Sequence, residues 1–95
     1  MKFEEHCIES LLLFGKDYAD VHRWLDEFAG KPGIGMKHRK FRHHAHGLAE
    51  VARLFGPDAV PAARQHIISD LKMEGWTEDD HFPLNELEYV KMGLF

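Results

Sequence analysis

Two histidine–aspartate pairs and one histidine-rich stretch hold most of the groups in this 95-residue chain that could do chemistry. His22 and His66 are each followed four residues later by a carboxylate, Asp26 and Asp70. Residues four apart share a helix face, so each imidazole can bind an ion beside its carboxylate or be held by it through the other ring nitrogen. Between the pairs lies Lys37-His38-Arg39-Lys40-Phe41-Arg42-His43-His44-Ala45-His46-Gly47, with four of the eight histidines, four of the twelve Lys/Arg and no acid. Imidazole is the side chain whose charge and metal-binding lone pair are both available near neutral pH. Together with carboxylates it suits a divalent metal such as zinc, iron, manganese or nickel, and the ligand types do not choose among these.

The ligands this spacing offers are His22, His38, His44, His66 and Asp70, with His6, His43 and Asp26 in second rank. An ion with an open position makes a nucleophile of its bound water, so hydrolysis of a phosphorylated substrate is the reaction expected of such a centre. His66 or His43 is then the candidate base, and Arg39 or Arg42 the group that holds the anion. No HExxH, CxxC pair or contiguous His-Asp dipeptide assigns catalytic residues further. Two other readings compete. Buried imidazoles can simply hydrogen-bond to Asp70, Asp26 and backbone carbonyls. Alternatively the Lys37 to His46 stretch forms a non-catalytic binding module for an anionic small molecule, a nucleotide or a protein partner. Sensitivity to chelators separates the metal reading from both.

The elements that must position these groups are helical, and the periodicity predicts a compact all-α bundle of four to five helices in a single domain over residues 1–95. Residues 3–14 carry Phe3, Cys7, Leu11 and Phe14 on one side, with Gly15 as the stop. Asp17 is a candidate cap for a helix over 17–29, with Val21 and Leu25 inward and His22 beside them. Gly30 to Gly35, with three glycines and a proline, is a turn and a candidate lid. A long helix is predicted over 36–55. On its wheel His38 and His44 lie about 60° to either side of Phe41 and face inward, while Arg39, His43 and His46 face outward. Gly47, in the middle of that helix, predicts close approach of another helix. A further helix over 59–74 places His66 and Asp70 on one margin of its apolar stripe, and 84–92 forms a short last one.

Composition sets the outer bounds. With 44% hydrophobic residues the chain is ordinary for a globular domain. At this length folding buries roughly two-thirds of the unfolded chain's surface, so a bound ion or a second subunit would add useful stability. The lone Cys7 forms no internal disulfide and fits a reducing, cytoplasmic setting. The longest apolar run, Leu11 to Phe14, is too short for a membrane span, and the acids before it argue against a secretory signal. A net charge of -4 disfavours general nucleic-acid binding. Five Lys/Arg without an acid lie between Ala29 and Ala49, and six acids without Lys/Arg lie between Glu74 and Glu88. Such a division suits a homo-oligomer that meets basic face to acidic face.

The block from His38 to Leu48, then Phe55-Gly56, then Gln65-His66-Ile67-Ile68-Ser69-Asp70-Leu71, resembles a small uncharacterised family of bacterial and phage proteins. The likeness reaches upstream through Val21-His22-Arg23-Trp24-Leu25-Asp26 and Phe14-Gly15 to His6. It implies a compact helical domain with His6, His22, His38, His43, His44, His66 and Asp70 at the family's polar positions. It brings no established function, and phage membership would point only to phage–host conflict in general. Ala52 stands where the family often has an acid, and the tail after Leu71 departs from the pattern.

Overall fold

Residues 1–35 and 37–94 are described by the structure, a computed structural model. Among them the chain forms five α-helices and no strand, the all-α class that the periodicity predicts. None of these helices is long and apolar enough to cross a membrane.

α1 (Phe3–Phe14) carries Glu4 and Glu5 in its first turn, where the helix dipole favours acids. It ends on Gly15 in the left-handed conformation, φ 77°. Its buried residues are His6 and Ser10, one turn apart. The expected apolar stripe is not what it buries: Leu11 and Phe14 are exposed, and Phe3 and Cys7 only half-buried. α2 (Ala19–Leu25) starts where the Asp17 carboxylate accepts from Ala19 N–H, and it buries Val21, His22 and Leu25. It stops short of residue 29, with Asp26 as its C-cap and turns from there to Gly35.

The long helix expected over 36–55 is the main correction. Its predicted start at Met36 lies outside the described residues, and residues 37–44 are turns around a single 3-10 turn at Arg39–Phe41. α3 spans Ala45–Phe55, with His44 in extended conformation as its cap and the His44 Nδ1 accepting from Gly47 N–H. Two features explain the late start. A helix begun at 36 would set Lys37, Arg39 and Lys40 against the positive end of its own dipole. In addition, the Ala45 and His46 N–H groups are satisfied by the carbonyls of Pro83 and Leu84 rather than by a preceding helical turn. Gly47 is therefore in the first turn, not the middle. A Cβ there would lie 1.8 Å from the Arg42 carbonyl oxygen, so the close approach comes from the loop just before the helix and not from another helix.

A 3-10 turn at Pro57–Ala59 leads into α4 (Val60–Met73), which packs on α1, α2 and α3. One flank of α4, with Ala63, Ile67 and Leu71, is fully buried against Val21, Leu25, Val51, Trp76 and Tyr89. Each large apolar side chain so buried contributes about 1.5–3 kcal/mol. The adjoining flank presents His66 and Asp70, also fully buried. The tail returns through Trp76, whose indole N–H donates to the His81 carbonyl, to α5 (Glu86–Lys91), capped by the Asn85 side chain.

Candidate metal centre

The polar flank of α4 meets polar groups from three other segments. α1 brings His6 and Ser10, α2 brings His22 and its cap Asp26, and the turns before α3 bring His38, Arg39 and His43. His6, His22, His43 and His66 are each no more than 1% exposed, and His38 is 4% exposed. His43, which the wheel turned outward, is thus fully buried, because the segment that carries it is not helical.

Asp70 and Asp26 are the two acids on which these imidazoles converge. Asp70 Oδ2 lies 3.0 Å from His43 Nε2 and 3.3 Å from His66 Nε2, and its Oδ1 lies 3.4 Å from His6 Nε2. Asp26 Oδ1 is 3.0 Å from His38 Nε2 and 3.4 Å from His43 Nε2, while Oδ2 is 3.3 Å from His66 Nε2. The Met1 amine and the Arg39 guanidinium also approach Asp70 Oδ1, at 3.2 and 3.6 Å. His6 and His66 are stacked, with ring centroids 3.6 Å apart. Ligating atoms of His6, Asp26, His66 and Asp70 all fall within 4.8 Å of one another, as do those of His6, His22 and His66.

His38 and His43 donate through Nε2 along aligned hydrogen bonds to Asp26 and Asp70. His6 and His66 do not. Their Nε2 atoms are buried and near carboxylate oxygens, yet none of these contacts has hydrogen-bond alignment. A buried polar atom without an aligned partner is uncommon and needs an explanation; His6 Nδ1, His38 Nδ1, His43 Nδ1, His44 Nε2 and Arg39 Nε share that state.

On its other edge His66 is tightly held. Its Nδ1 lies 2.8 Å from His22 Nδ1, and His22 Nε2 is hydrogen-bonded to Ser10 Oγ, also at 2.8 Å. The Nδ1 pair needs one proton between two nitrogens, so the two rings must adopt complementary tautomers.

The electrostatics favour ionised acids at Asp26 and Asp70 and neutral rings at His22 and His43. Burial by itself would raise the Asp70 carboxyl, but the imidazoles of His43, His6 and His66 outweigh it and hold the group well below the usual carboxylate range. Burial likewise opposes ionisation of Asp26, and His38 and His66 overcome it. Burial lowers His22 to about 4, helped by repulsion from His66 and His6. His43 also falls to about 4 through burial, against the pull of Asp70. His66 is the opposite case: burial disfavours its cation, but Asp26 and Asp70 together raise it. It is the ring at which two carboxylates most demand a positive charge.

Of the remaining expected site residues, His44 and Arg42 lie elsewhere, while Arg39 stands at the edge of the cluster beside Asp70. His44 caps α3 and lines a cleft of about 750 Å³ with His46, Trp24, Phe41, Arg42 and Leu87. Neither carboxylate nor His6 or His66 lines that cleft. Arg42 lies over the rings of Trp24 and Phe28 and donates to Glu27, and Arg39 donates to Glu74 at 2.7 Å. Both guanidiniums offered for an anion are thus engaged with acids of the chain itself. Sequence reasoning passed over Ser10 and Glu74 as parts of this network. The repeated interval of four that picks out His22–Asp26 and His66–Asp70 also joins His6 to Ser10 and Asp70 to Glu74.

No curated protein and no solved structure matches the chain. Residues 1–88 match the family described as Domain of unknown function (DUF6915), and the chain belongs to that family.

Proposed function

We propose that this protein binds a divalent metal ion through Nε2 of His6 and His66 and the carboxylates of Asp26 and Asp70. The observation that carries the reading is the pair of buried Nε2 atoms 3.3–3.4 Å from carboxylate oxygens without hydrogen-bond alignment. Donors about 2.0–2.2 Å from a common ion stand roughly 3.3–3.6 Å from one another in tetrahedral geometry. Charge supports the same edge of the rings. A neutral imidazole has one lone pair, so His6 and His66 can serve an ion on the carboxylate side or on the His22 side, not both. The carboxylate side offers two negative charges, and the His22 side offers none. His22 then acts from behind: it accepts the Nδ1 proton of His66, passes its own Nε2 proton toward Ser10, and leaves His66 Nε2 free for the ion.

The hydrolytic form of this reading places water on the Asp26 side, since that carboxylate is 26% exposed and Asp70 only 2%. With Arg39 and Arg42 occupied, a phosphorylated substrate would be held by the ion itself. The second reading, a binding module without chemistry, would use the Trp24–Arg42 cleft, but Glu50 and Glu86 also line it and Arg42 is held by Glu27, which disfavours an anion there.

Elemental analysis of protein purified without an affinity tag tests the proposal. At least one divalent ion per chain is expected, removed only by strong chelation and with loss of thermal stability. Folded protein that neither carries nor takes up an ion would refute it, and insensitivity to chelators would leave the cleft as the functional feature.

A further inference from the structure

We propose that the outward face of α1 is an interface between two copies of this chain, with α1 packed against α1 in antiparallel fashion. It does not depend on the metal reading, because it uses the side of α1 turned away from His6. α1 presents its faces in reverse of the usual order. His6 and Ser10 are buried, and Ile8, Leu11 and Leu12 recur at helical spacing on the opposite, exposed side. Leu12 is 80% exposed, Ile8, Leu11 and Leu13 are each more than half exposed, and Phe14 ends the same apolar stretch. Among the described residues nothing covers this face. The side chains that α1 buries fully are polar, so its leucines stabilise only when something else removes them from water.

Area and charge identify what does so. The exposed side chains of this stretch leave about 500 Å² per chain open to water, near the top of the roughly 300–600 Å² of the largest patch on an ordinary monomer. Two copies packed on it hide about 1,000 Å², the lower bound for a specific interface and the size of a weak dimer. Glu4 and Glu5 lie exposed in the first turn, and Lys16 lies exposed just beyond the last. An antiparallel pair centred between Ile8 and Leu12 sets Ile8 of each copy against Leu12 of the other and brings the acids beside the other copy's Lys16. The two helix dipoles then also oppose each other. A parallel pair would set acid on acid. The helix carries three acids and no Lys/Arg, which disfavours an anionic lipid surface or a nucleic-acid backbone as the occupant. Such a pair is isologous and closes on itself.

The test is sedimentation velocity of the full chain from micromolar to millimolar concentration, with circular dichroism to check the fold. The wild type should dimerise toward the upper end. Leu12→Asp should abolish the dimer and leave the helical spectrum unchanged. Lys16→Glu should weaken association several-fold, and adding Glu4→Lys to it should restore much of the loss, since each copy then offers the exchanged pair. If Leu12→Asp does not fold, the two charge variants decide alone. A wild type that stays monomeric throughout overturns the proposal, as does a dimer indifferent to Leu12→Asp. A dimer that Leu12→Asp abolishes but both charge variants leave unchanged overturns the antiparallel arrangement. Wild-type monomer that sediments with phosphatidylcholine vesicles, where Leu12→Asp does not, would overturn it too and assign the face to a lipid surface.

Discussion

The interior of this protein divides along α4 into two halves of unlike chemistry. Ala63, Ile67 and Leu71 join Val21, Leu25, Val51, Trp76 and Tyr89 in an apolar half. His66 and Asp70, on the next flank of the same helix, join His6, Ser10, His22, His38 and His43 in a polar half that is as well buried. The apolar half stabilises by leaving water and needs no partner. The polar half gains nothing by burial itself; each ring nitrogen or carboxylate oxygen removed from water needs a partner or costs free energy. That His6 and His66 keep unaligned nitrogens there sets the two halves apart. One half holds the fold, and the other gathers His and Asp groups that could hold an ion.

The difference can be broken from either side. The largest effect is expected from Asp70→Asn, which removes a charge that faces three imidazoles and should abolish metal uptake, as read by elemental analysis; retained stoichiometric metal would refute its place in the centre. Leu71→Ala, one residue on but in the apolar half, should cost about 2–5 kcal/mol in denaturant unfolding and leave the metal content of the folded fraction unchanged. Loss of metal there would mean that the two halves are not separable. His22→Ala acts through His66 and should weaken metal affinity by about 10–100-fold without changing stoichiometry. A changed ion count would instead make His22 a ligand. Ser10→Ala should have the smallest effect, about 0.5–1.5 kcal/mol in stability for the lost hydrogen bond and a smaller shift in affinity than His22→Ala. An equal or larger shift would contradict the order of that chain.

The polar half was legible where its logic is local. The interval of four in His22–Asp26 and His66–Asp70 is a helical spacing, and the structure brings all four residues together. The all-α class was readable from the same periodicity, and the sequence blocks pointed to an uncharacterised family. What failed was the wheel drawn over residues 36–55. It turned His43 outward, whereas His43 faces both carboxylates; His44, which it turned inward, is buried but caps α3 instead of joining them. The cationic run against the helix dipole and the glycines before it were visible signs that no helix would start there, but the periodicity of Phe41, Ala45 and Leu48 masked them. α1 misled in another way. Its surplus of apolar residues drew a stripe with His6 and Ser10 only beside it, yet these two are the pair that it buries. Contacts such as Arg39 with Glu74 join residues 35 apart, and no local spacing announces them.

Anomalous diffraction at the metal's absorption edge, on crystals grown from tag-free protein, tests the central claim most directly. A peak within about 2.0–2.2 Å of His6 Nε2 and His66 Nε2, and in contact with Asp26 and Asp70, is the predicted result. No peak there, or one at His44, His46 or His81 instead, would contradict it.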